Sequence, residues 1–118
     1  MKFEEVKQIM AKAHDKDHNC PHPCWAAEDA IPRGIIETQE QYDYIKYYSD
    51  HTAISTEGMK SFEEDKGRYL NLGNHFGGAS FYFCTESVEY VTECVKKYPN
   101  IYPENLNWSY GKYGKIEF

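Results

Sequence analysis

Long apolar runs are missing from this 118-residue chain: no stretch approaches the roughly 18 apolar residues that a membrane-spanning helix needs. A secretion signal is missing too, because "MKFEEVKQIMAKAHDKDH" carries acids where a basic segment and an apolar run would stand. An intracellular chain is therefore expected, in which thiols stay reduced. Basic charge is in deficit. With 13 Lys and Arg against 19 Asp and Glu, the net charge of −6 argues against a protein that grips a nucleic-acid backbone. Catalytic motifs are scarce as well. There is no HExxH, no phosphate-cradling G-x-x-x-x-G-K, neither half of the zinc-deaminase pattern, and no legible Ser-His-Asp set.

Cysteine is sparse, with four residues, yet two of them fall in "HDKDHNCPHPC", which also holds three of the five histidines. His14 and His18 stand four apart on an expected first helix, so their rings project from one face a turn apart. Cys20 and Cys24 follow in a loop stiffened by Pro21 and Pro23, which lowers the entropy lost when ligands close on an ion. Two imidazoles and two thiolates make the tetrahedral set that zinc prefers. The expectation is one zinc held by His14, His18, Cys20 and Cys24. Its role is structural, since four ligands close the shell and leave no open position for a water. His22 is a spare ligand and His51 a remote substitute. The competing readings are a solvated helix end and an occasional disulfide between Cys20 and Cys24.

What is plentiful is tyrosine, 11 residues in all, within a composition that is 41% hydrophobic and 27% charged. These values describe one folded domain spanning residues 1–118. Phe3, Val6, Met10 and Ala13 have helical spacing, and a second helix is expected from Thr38, where "TQEQ" fits a capping box, to about His51. Ser61 and Glu64 suit the cap of a short helix. "RYLNLG" and "ASFYFC" read as two strands around the turn "NHFGG". A third helix follows, with Val88, Val91, Val95 and Tyr98 on one face and Pro99 ending it. The tail "NWSYGKYGKIEF" is expected to add one or two strands to the earlier pair. The fold class is α+β, about three helices packed on a small antiparallel sheet. Cys84 and Cys94 read as core thiols.

The second helix carries two apolar lines, Tyr42 with Ile45 and Ser49, and Tyr44 with Tyr47, Tyr48 and His51. Only one line can face the core fully. With Glu37, Glu40, Asp43 and Asp50 interleaved, the other suits an acidic, tyrosine-rich surface for a basic protein partner. Glu40, Asp43, Tyr44 and Tyr47 are the expected contacts, with both tyrosines exposed. An amphipathic helix with a generous aromatic core face is the competing reading.

In sum of character, a small acidic α+β chain with tyrosine surfaces, no catalytic motif and a local His/Cys cluster resembles the phage-encoded anti-CRISPR proteins. It looks like a zinc-containing inhibitor of the effector nuclease of type II systems. His14, His18, Cys20, Cys24 and the acidic-aromatic helix Thr38–His51 carry the resemblance, across the first half of the chain. Such proteins share no motif or fold, so no interface residue transfers by position. The resemblance implies stoichiometric protein binding in the cytoplasm of a bacterial host, with no enzymatic activity and no direct contact with nucleic acid or membrane. The target enzyme has basic channels for guide and target strands that an acidic protein can block. Two alternatives are an immunity or antitoxin protein that binds a bacterial toxin and a zinc-dependent hydrolase.

Overall fold

The computed structural model describes residues 1–17, 31–51, 54–74, 81–99 and 105–118. The order of elements is α1 (Phe3–Asp17), β1 (Gly34–Ile35), α2 (Gln39–Asp50), β2 (Ile54–Ser55), α3 (Phe62–Asp65), β3 (Tyr69–Asn74), β4 (Phe81–Glu86) and α4 (Val88–Lys97). The class is α+β, and no helix among the described residues is long and apolar enough to cross a membrane.

Local chemistry sets the helix starts. Thr38 accepts the Gln41 N–H while the Gln41 side chain accepts the Thr38 N–H, the reciprocal box that satisfies two otherwise orphaned donors. Ser61 accepts from Glu64 N–H and opens α3, and Ser87 accepts from Tyr90 N–H and opens α4. In α4, Val91 and Cys94 are buried, but Tyr98 is not the core residue expected of it. At φ −132° and ψ 65° it has already left the helix, and it stands 46% exposed.

The sheet runs β1-β3-β4-β2. Strands β3 and β4 form the expected antiparallel pair, from Tyr69 opposite Glu86 to Asn74 opposite Phe81. The sheet as a whole is mixed rather than antiparallel, because β2 joins β4 in parallel through Ile54 and Ser55. The tail does not pair with β3 or β4. Ser109 bridges Arg33, with reciprocal N–H to carbonyl bonds of 3.0 and 2.7 Å, and Glu117 bridges Lys2 beside α1. The edge that the tail was expected to take on β3 is occupied by β1.

Gly34 permits this seam. Its φ of +126° suits glycine alone, and a Cβ there would stand 2.4 Å from the Trp108 Cα.

One face of the sheet holds the main core, in which Leu70 and Phe83 pack with Val6, Ile36, Tyr42, Ile45 and Tyr48. Tyr69, Val91 and Cys94 are buried outside that cluster. On α2, both sequence lines contribute: Tyr42, Tyr44, Ile45 and Tyr48 are all buried. At 100° per residue they span an arc of roughly 160°, wider than one line. The tail explains the width, since Tyr110, Tyr113 and Ile116 cover the flank of α2 that a two-layer packing would leave in solvent.

A groove between helix α2 and the tail

At the margin of that arc, α2 and residues 115–118 enclose a shallow groove of about 280 Å³. Buried Tyr44 and Ile116 form its base, at 6% and 2% exposure. Tyr47 and Phe118 form its open aromatic side, at 36% and 54%. Glu40, Asp43 and Lys115 supply the charge. The four partner-contact residues expected from sequence thus line one groove, but Tyr44 is not exposed. It sits at the edge of the buried arc, where the tail closes over it.

The aromatic side is an extended cluster. Tyr47 stacks on His51 at 4.1 Å and 14°, and its ring centre is 3.7 Å from that of Phe118. Phe3 of α1 meets His51 and Phe118 at 5.2 and 5.4 Å. Tyr44 packs edge-on against Tyr110 at 5.2 Å. His51, the remote substitute ligand, lies in this cluster, with Nδ1 donating to the Tyr47 carbonyl at 2.8 Å.

The charged groups are partly spoken for. Lys115 pairs with Glu40, and its ammonium lies 5.7 Å from the centre of the Tyr110 ring. That carboxylate holds the proton more firmly on Lys115. Asp43 accepts from the Gln39 side-chain amide at 3.0 Å. The Tyr44 hydroxyl is buried near the Ile116 backbone, without a partner of hydrogen-bond geometry among the described residues, and burial pushes its pKa up to about 12.

A second tyrosine–carboxylate pairing went unanticipated. Asp65, 1% exposed, accepts the Tyr42 hydroxyl at 3.2 Å, the Lys60 N–H at 2.9 Å and the Thr85 hydroxyl at 3.3 Å. Arg68 in turn donates to the Thr85 hydroxyl and carbonyl. Burial and the adjacent Asp65 carboxylate raise the Tyr42 pKa to about 12. Its only sequence signal was the acid run "EED", which also reads as solvated surface.

Of the two thiols expected in the core, Cys94 is buried and Cys84 is half-buried. Cys84 donates to the Asn71 carbonyl at 3.4 Å, and burial lifts its pKa to about 11, so it is a poor nucleophile near neutrality. Cys94 is buried on α4. Glu86 beside them has a buried carboxylate oxygen with no partner among the described residues, and burial raises its pKa.

Of the expected zinc ligands, His14 belongs to the last turn of α1, while His18, Cys20, Cys24 and the spare His22 lie outside the described residues. Among the described residues no three His, Cys, Asp or Glu side chains gather as a metal site. No protein-family model, curated protein or solved structure matches the chain.

Proposed function

We propose that this chain is a stoichiometric protein inhibitor of a type II CRISPR effector nuclease, blocking the loading or cleavage of nucleic acid. The observation that carries this reading is the groove. Exposed rings beside buried apolar residues, rimmed by carboxylates, have the anatomy of a protein interface with aromatic anchors. A net charge of −6 favours encounter with a basic enzyme surface. In this reading the partner is protein, and the chain performs no chemistry of its own. The rim carboxylates steer association, and the aromatic side supplies most of the affinity.

The purified chain should form a 1:1 complex with the sensitive nuclease and suppress its DNA cleavage. Charge reversal at Asp43 should slow association and flatten its salt dependence, whereas Tyr47→Ala should speed dissociation about tenfold. No binding to a panel of orthologous nucleases, at excess and low salt, would turn the assignment to an immunity protein for a toxin.

Zinc belongs to the same proposal. The donor set of His14, His18, Cys20 and Cys24 is chemically suited to the ion, which would tie the end of α1 to the loop that follows. Elemental analysis should find one zinc per chain, lost in the Cys20→Ser, Cys24→Ser double variant. A chelator should lower the melting temperature. Full zinc occupancy in that double variant would defeat the ligand assignment.

A further inference from the structure

The groove already holds a cation. Lys115 comes from the tail, pairs with Glu40 and lies over Tyr110, so the chain itself shows what chemistry this surface accepts. Two features stay open beside it. Among the described residues Asp43 faces the groove with a neutral amide as its hydrogen-bond partner, and the Phe118 ring, packed with one side against Tyr47, stays largely in solvent. A carboxylate next to exposed π faces suits a planar guanidinium, which stacks flat on an aromatic ring while its N–H fork reaches a carboxylate. Lysine, a compact and strongly hydrated point charge, gains less from such a wall.

We infer that the groove takes an arginine side chain of a basic protein partner, stacked on the exposed Phe118 ring and paired with Asp43, and that Lys115 is an internal surrogate competing for the same negative charge. The inference rests on the proposed binding function and adds the group that is recognised. Glu40 is then a shared acceptor, held by Lys115 in the free chain and available to the partner's guanidinium once Lys115 swings out. Lys115 side-chain exposure of 58% leaves room for that movement. The surrogate also blunts binding of stray cations, because an incoming group must do better than an ion pair already made.

The test uses a blocked Gly-Arg-Gly peptide, acetylated and amidated, titrated into the full chain at millimolar concentration and followed by nuclear magnetic resonance. A blocked Gly-Gly-Gly peptide is the control. The arginine peptide should shift the resonances of Asp43, Tyr47 and Phe118, and the control should leave them in place. Lys115→Met should tighten peptide binding several-fold, and Asp43→Asn should weaken it several-fold. Both positions are exposed, and thermal melting checks that each variant is folded. Equal shifts with both peptides, shifts confined to other surfaces, or weaker binding by Lys115→Met would each overturn the inference. A chain that inhibits the nuclease but ignores the arginine peptide at this groove overturns the inference alone. Arginine binding at the groove without binding to any nuclease overturns the proposed function alone.

Discussion

Helix α2 places a tyrosine beside acids at two sites, and the two have opposite characters. At Asp65 the carboxylate is buried, and three donors from separate segments close on it. At the groove, Glu40 and Asp43 are exposed, and the nearby Tyr44 hydroxyl is buried without a partner among the described residues. A buried ion is tolerable only when its lone pairs are filled, so the first arrangement is saturated and leaves nothing to offer a ligand. The second keeps acceptor capacity and apolar surface in contact with water. The same residue types therefore serve architecture in one place and are proposed to serve recognition in the other, and the number of bonds already made distinguishes them.

The largest expected effect tests the saturated site. Asp65→Ala strands the Tyr42 hydroxyl, the Lys60 N–H and part of the Thr85 pairing, and should cost roughly 3 kcal/mol in urea denaturation. Loss of under about 1 kcal/mol would remove the distinction drawn between the sites.

Alkaline pH should then strike both sites together. The fold raises Tyr42 and Tyr44 from the ordinary 10.0 to about 12, chiefly through burial, and so favours their protonated forms. Their contribution is intact below pH 10 and is lost as pH climbs from about 10 to about 12. Stability should fall across that window, with phenolate absorbance appearing late for these two rings. Early, uniform ionisation of all the tyrosines would contradict it.

The smallest effects separate the two hydroxyls most cleanly. Tyr42→Phe removes a bond to a buried carboxylate and should cost about 1–2 kcal/mol. Tyr44→Phe removes an unpartnered hydroxyl and should lie within about 0.5 kcal/mol of neutral, or stabilise slightly. Equal losses would mean that the Tyr44 hydroxyl does find a partner.

What was legible in the sequence follows the range of the interactions. The Thr38–Gln41 box, the Ser61 cap and the β3–β4 alternation depend on neighbours in the chain or on a simple period, and all are present. The tail's partners lie at Arg33 and Lys2, far along the chain, and alternation alone carries no address. For the same reason periodicity marked Tyr44 as a surface residue: the arc facing the core was legible, but the segment that covers its flank was not. Asp65 draws donors from 20 and 23 residues away, which no local pattern encodes. Glu40, Asp43 and Tyr47 line one groove because their helix places them together whatever packs beside it. The proposed zinc ligands fall almost wholly outside the described residues.

The seam at Gly34 has a consequence for when the groove comes to exist. The wall of the groove is a strap, joined to the body by bridges between residues 33 and 109 and between 2 and 117, and by a bond from the Ile35 N–H to the Leu106 carbonyl. Closing contacts across such separations is slow, because the loop entropy is spent before the contacts form. The β3–β4 ladder is local by comparison. During folding the sheet core can be in place while the recognition surface does not yet exist. Once folded, the strap has few backbone bonds to break, so its amides should exchange with solvent well before those of β3 and β4. In the proposed reading, competence to bind is then a late and reversible property of this fold, gained when the strap docks and lost when it lifts.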